Sequence, residues 1–285
     1  MAKELKINLP LNEIHDFPNH PFKVRMDEDM LEMAESVKKY GVLVPGLVRP
    51  RDGGGYEMVA GHRRKMASGL AERITMPCLI RNLTDDEAVI IMVDSNLQRE
   101  KILPSEKALA YKMKLEAMKR QGQRTDLTSV PVAQKSGKTS RALVGEAAGE
   151  SQDQVRRYIR LTELIPQVLD MVDAGKIAIR PAVELSYLPP EHQKSLLEEM
   201  TAEERTPSHV QAIKMRKFSE EGRLGEDVIH SIMQEDKPNQ VEQFKMPRDK
   251  ISKFFPVGTP TQKIEDTIVK ALELWRQRER NRDAR

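Results

Sequence analysis

The 285-residue chain carries a single cysteine, Cys78, which excludes an internal disulfide. Its setting in MPCLIR is that of a small buried hydrophobe. Aromatic residues are scarce at 4%, against 32% charged residues, a balance that suits helix-rich, loosely connected modules better than one large sandwich or barrel. No apolar run approaches the length of a membrane span. The start, MAKELKINLP, has neither the apolar core of a signal peptide nor an amphipathic transit pattern, so the expected location is the cytoplasm with no membrane partner. The six histidines form no i, i+4 pair and have no cysteine partner, which argues against a zinc-type site. No G-x-S-x-G nucleophile elbow occurs. Gly137-Lys138-Thr139 looks like the end of a P-loop, but Val132 stands where that loop needs its first glycine.

What the chain does have is a helix-turn-helix pattern at residues 145–161, GEAAGESQDQVRRYIRL. Gly149 sits where a first helix must end and the backbone must take positive φ, and Ser151 is placed to cap a second helix. Val144, Ala148, Val155, Tyr158 and Leu161 form the inner apolar faces. That leaves Ser151, Gln152, Gln154, Arg156, Arg157 and Arg160 as the candidate DNA-binding set, of the residue types that read base edges or hold phosphates. An ordinary helical hairpin with a solvated face is the bland alternative. Positions 119–160 hold nine Lys or Arg against four acids, a net of +5, whereas the whole chain is only +3. Such a concentration attracts nucleic acid through counterion release.

Upstream, the spacing of Met30, Ala34 and Val37 predicts a helix over 27–40 that Gly41 stops. Strands are expected at 42–49, 56–61 and 76–81, the first two joined by a glycine-rich hairpin turn at 52–55. Between the second and third strands, GHRRKMASGLA starts a helix with adjacent arginines. Free N–H groups and the positive dipole end there would complete an anion site with Arg63 and Arg64. Thr84 to Glu87 reads as a capping box opening a further helix. Pro104 ends an element, and Ser105 is expected to cap a long helix with Leu109, Met113 and Ala117 on one face. Residues 121–138 read as a basic loop.

These pieces together resemble one family in the right order. GHRRKMA resembles the GERRxxA box of ParB/RepB-type partition proteins, VDSNLQREKILPSEKALAY resembles their ENxQRxxLxPxEEAxAY segment, and the helix-turn-helix follows at the family's distance. LIPQVLDMVDAGKIAIRPAVELSYLP resembles the helical stretch after it. The resemblance implies an α+β chain: a small N-terminal α/β nucleotide-binding domain (1–104), an all-α helix-turn-helix domain (105–200) and a helical C-terminal region (201–285) that dimerises. It further implies a site-specific partition protein for a plasmid or mobile element, acting as a CTP-responsive clamp on a palindromic double-stranded site, with a ParA-type ATPase as a possible partner. The nucleotide set carried over by position is Gly61, His62, Arg63, Arg64, Asn96, Gln98 and Arg99, with Mg²⁺ as an accompanying ion. His62 and Ser95 replace family glutamates and Val44 replaces the glutamine of GxxQP, which removes oxygen ligands of the kind Mg²⁺ favours. CTP binding is therefore better supported than hydrolysis.

At the C-terminal end, helices are expected from Pro207–Ser208 to Phe218 and over 226–233. Ile264, Ile268, Ala271, Leu272 and Trp275 mark one narrow apolar stripe. It fits either self-association, which a palindromic site requires, or docking onto the chain's own domain. The arginine-rich end, 276–285, is either a solvated terminus or a second DNA contact. Two other functions remain beside the partition reading: a transcriptional repressor with no nucleotide switch, and a sulfiredoxin-like enzyme, which would need a cysteine where His62 stands.

Overall fold

The computed structural model describes residues 5–99, 102–125, 139–235, 251, 254–256 and 259–283. They fall into two compact units, 1–235 and 236–285.

The first unit begins with a five-stranded sheet. Its strands are β1 (Leu5–Pro10), β2 (Ile14–His15), β3 (Gly46–Pro50), β4 (Tyr56–Ala60) and β5 (Thr75–Ile80), in the order β1-β5-β3-β4-β2. β1 runs antiparallel to β5 and β3 antiparallel to β4, while β3–β5 and β2–β4 are parallel. Successive residues of β4 point to opposite faces: Met58 packs with Leu9, Val48 and Met76 on one side, and Val59 with Phe17, Phe22 and Met92 on the other. Both faces of the sheet are thus covered. The expected strand at 42–49 starts only at Gly46. Residues 42–45 form a loop instead, because the Arg64 guanidinium binds the carbonyls of Val44 and Pro45, both at 2.6 Å, and takes that backbone out of the sheet.

The helices start and stop where capping chemistry places them. Asp27 accepts the Met30 N–H at 2.9 Å to open α1 (Glu28–Tyr40), and Gly41, at φ +74°, ends it. The Thr84–Glu87 capping box opens α3 (Asp85–Leu97). Between them, α2 (His62–Leu70) follows Gly61 directly.

The long helix α4 (Pro104–Thr125) corrects two expectations. Ser105 does not cap it: its backbone N–H and hydroxyl both donate to Asp173, at 2.9 and 2.5 Å. Nor is Leu109 on a buried stripe, being 43% exposed. Instead the helix is buried on two sides. Ala110 and Ala117 pack with the core that covers the sheet, and Ala108 and Tyr111 belong to the core of the following helices.

Those helices are α5 (Ser140–Ala148), α6 (Gln152–Arg160), α7 (Pro166–Asp173), α8 (Ile179–Leu185), α9 (Pro190–Ala202), α10 (His209–Glu220) and α11 (Glu226–Gln234). One continuous apolar core holds them, from Val144 to Met233. Residues 121–125 of the expected basic loop are the last turn of α4, and 126–138 lie outside the described residues. In the second unit α12 (Thr261–Asp283) is the main element. Ile264 is buried and Ile268 half-buried, but Val269, Leu272, Leu274 and Trp275 are all more than half exposed. Among the described residues no helix is long and apolar enough to cross a membrane.

Candidate nucleic-acid interface and anion cleft

The helix-turn-helix forms as its sequence dictates. Gly149, at φ +67°, ends α5, and the Ser151 hydroxyl accepts the Gln154 N–H at 3.2 Å to open α6. Gly145 has a separate reason to be glycine: a Cβ there would lie 2.4 Å from the Glu150 carbonyl oxygen. Val144, Val155, Tyr158 and Leu161 are buried beneath the pair. Gln152, Arg156 and Arg157 are exposed on the outer face of α6, with Ser151 exposed at its start and Gln154 half-buried.

Arg156 and Arg157 line a concavity of about 480 Å³ together with Lys119 and Arg141. Arg160 belongs to its inner wall, because its guanidinium donates to the Ser186 hydroxyl (3.1 Å) and carbonyl (2.6 Å) and sits 4.1 Å from the centre of the Tyr187 ring. Arg216 lies over the same ring at 3.7 Å and is held by Glu184 and Glu220. Arg160 therefore braces α6 against the turn after α8, while Arg156 and Arg157 stay exposed on its outer face.

The second site lies at the start of α2. Gly61 takes φ +116°, and a Cβ there would come 3.2 Å from the Gly46 Cα, so the β4–α2 turn requires glycine. Arg63 projects into a cleft of about 940 Å³ that also gathers Lys23, Arg25 and Arg99. Its Nη2 is 3.4 Å from Asp27, and its Nε is buried with no hydrogen-bond partner among the described residues. Burial, and then the charge of Arg63, lower the pKa of Arg99; a guanidinium stays charged regardless.

The other residues of the expected nucleotide set are placed differently. Arg64 is committed to the Val44 and Pro45 carbonyls. Asn96 is buried, with its amide donating to the Met92 carbonyl of its own helix at 2.8 Å, and Gln98 is exposed. His62 is buried with its ring 3.9 Å from that of His20. Desolvation, then the neighbouring His20, hold its pKa down to about 3. A neutral imidazole therefore occupies the position of the family's glutamate.

Sequence reasoning passed over Lys23 and Arg25. Both are exposed on either side of half-buried Val24, and their alternation with Phe22 and Val24 in PFKVR is the available signal.

Residues 2–97 match the family model described as ParB N-terminal domain, and residues 101–216 match that described as ParB HTH domain. The chain is 34% identical over 210 residues to the chromosome-partitioning protein Spo0J of Thermus thermophilus, an alignment covering 74% of this chain and 70% of that one. The chain belongs to the ParB family. It is also 35% identical over 171 residues to a probable chromosome 1-partitioning ParB of Deinococcus radiodurans, spanning 60% of this chain and about half (52%) of the relative. Two solved forms of a C-terminally truncated ParB from Caulobacter crescentus are similar. One is complexed to the centromeric parS site (22% identity, TM-score 0.43, 80% of this chain and 98% of that one). The other is complexed with CTP-gamma-S (25% identity, TM-score 0.32, 69% and 98%). In ParB terms, the cleft is lined by residues of the matched N-terminal domain together with Ile102, Leu103 and Glu106 at the start of the matched HTH domain, and α5–α6 lie within the latter.

Proposed function

We propose that this ParB-family chain is a homodimeric, site-specific DNA-binding partition protein whose hold on DNA is controlled by CTP. The outer face of α6 carries the reading. Arg156 and Arg157 are exposed beside Gln152 on a helix capped at Ser151, with Lys119 and Arg141 on the same concave surface. Exposed guanidinium and amide groups on a second helix are what the major groove selects.

The cleft suits a nucleotide triphosphate. Arg63, Arg99, Lys23 and Arg25 would hold it, helped by the free N–H groups that follow Gly61 at the start of α2. Asp27, Asp29 and Glu106 also line the cleft, so a bound CTP would meet these four cations partly offset by three carboxylates. Arg63, whose Nε is buried with no partner among the described residues and whose Nη2 is 3.4 Å from Asp27, is better disposed to receive phosphate than Arg64, which would first have to release two carbonyls.

The positions that match the family's glutamates supply no magnesium ligand, and the carboxylates that the cleft does offer to a nucleotide-borne ion are Asp27 and Asp29. Ser95 donates its hydroxyl to the Met92 carbonyl and Asn96 offers only an amide oxygen. Both carboxylate oxygens of Glu106 already accept backbone N–H groups, and among the described residues no group of three or more His, Cys, Asp or Glu could hold a metal ion.

Titrating wild-type protein and the Arg156→Ala and Arg157→Ala variants against a duplex selected by the protein from a random pool tests the reading. Each variant is expected to lose about 1–3 kcal/mol of binding free energy if its arginine reads a base. Calorimetry with CTP, comparing wild type with Arg63→Ala, is expected to show binding that the variant loses. DNA binding without any CTP binding would leave a helix-turn-helix repressor with no nucleotide switch.

A further inference from the structure

Three consecutive residues in the first turn of α4 each bond a different part of the molecule. Ser105 donates twice to Asp173 at the end of α7. Glu106 lines the basic cleft, its Oε1 accepting the Lys23 N–H at 2.9 Å and its Oε2 the Leu103 N–H at 3.1 Å. Lys107 sets its ammonium 2.7 Å from Glu150 Oε1 and 5.2 Å from the centre of the Tyr158 ring on α6.

Glu150 belongs to the tight turn between α5 and α6. Its backbone N–H donates to the Gly145 carbonyl at 2.8 Å, and its side chain reaches back to α4. The pair is well shielded, with side chains 26% and 16% exposed, so removing one partner leaves the other poorly compensated. One turn further along α4, fully buried Tyr111 meets the Tyr158 ring edge-on at 5.8 Å. The same helix is fixed to α3 by Lys114–Asp94 and Arg120–Asp86, and α3 leads into Arg99 at the cleft.

We propose that the Lys107–Glu150 pair transmits occupancy of the cleft to the recognition helix, and that Lys107 and Glu150 are positioning residues touching neither ligand. This rests on the reading of the cleft as the nucleotide site and of α6 as the DNA reader. A polyphosphate entering the cleft meets the carboxylate of Glu106, a like charge whose two oxygens tie the 20–25 strap and the Leu103 N–H to α4. Relief of that repulsion moves the first turn of α4. Lys107, one residue on in the same rigid turn, carries Glu150 and the helix-turn-helix turn with it. Energetic coupling between two sites requires such a shared element with two arrangements.

The test is the linkage between the two ligands, measured on the full chain. CTP affinity is determined with and without the selected duplex, and duplex affinity with and without CTP; the two ratios must agree because linkage is reciprocal. Wild type is expected to show a factor of about fivefold or more. Lys107→Met and Glu150→Gln are expected to bring it close to one while CTP affinity without DNA stays within about threefold of wild type. Lys107→Arg, which keeps the charge, restores the factor.

A wild-type factor of one overturns the proposal, as does full coupling in Lys107→Met. Should Glu150→Gln lose its thermal transition, the Lys107 pair decides alone. Wild type that binds neither ligand defeats the functional reading itself, a result distinct from loss of coupling.

Discussion

His62 is a buried imidazole at the first position of α2, where the nearby Asp16 carboxylate favours its charged form less than burial and the neighbouring His20 oppose it. Burial, followed by the proximity of His20, holds its pKa down to about 3, against about 6.5 in the unfolded chain. Between those values the unfolded chain binds a proton that the folded chain excludes. Stability therefore falls as the pH is lowered from about 6.5 towards 3, and this group contributes up to about 1.4 kcal/mol per pH unit. Urea unfolding at a series of pH values should show a steep acid limb in wild type and a shallower one in His62→Gln; equal slopes would show that the fold does not exclude the proton at this position. Single residues also show where reading types from a sequence ends. Arg63, Arg64, Arg156 and Arg160 are alike in type. The fold turns two of them to open surface or cleft and gives the other two to backbone carbonyls.

At the scale of elements, local chemistry made the helix-turn-helix legible. Gly149 and Ser151 specify their own backbone conformations, and Val155, Tyr158 and Leu161 follow the helical period. The occupancy of Gly145 was not legible, because the clash that excludes a side chain comes from the Glu150 carbonyl across the turn. Gly145→Ala should cost about 2 kcal/mol or more, since a Cβ at 2.4 Å must displace backbone, and it should lower the thermal midpoint by several degrees. Because the strain lies in the turn, DNA affinity should fall with it while CTP affinity holds. A variant with the wild-type midpoint would show that the turn yields freely. Similar reasoning covers the misread elements. β1 has the strand alternation of Leu5, Ile7 and Leu9, but its partner β5 lies some seventy residues away and no local pattern names it. Residues 42–45 have strand composition and are lost to the sheet through one distant guanidinium. In α4 the period of Leu109, Met113 and Ala117 suggested a single apolar stripe, whereas alanines on two sides serve two cores; small residues pack closely without standing out in a hydrophobic pattern.

For the whole molecule, the expected dimer turns on α12. A 23-residue helix whose Val269, Leu272, Leu274 and Trp275 are 54–61% exposed leaves apolar surface in water that a second copy can cover. A two-fold partner is also what a palindromic site requires, because each half-site needs its own α6. Trp275 is the only tryptophan of the chain, so its fluorescence reports this surface alone. If α12 pairs with its counterpart, dilution should shift the emission to the red as the indole becomes hydrated, and sedimentation should show dimer giving way to monomer over the same concentration range. Deleting 261–285 should leave a folded monomer, since residues 1–235 form a compact unit of their own. That monomer should retain affinity for a half-site within a few-fold and lose most of its advantage on the full palindrome, where two linked copies gain by raising each other's local concentration. A truncated chain that still sediments as a dimer, or an emission maximum unchanged across the dilution series, would move the interface away from α12 and onto the surface of the first unit.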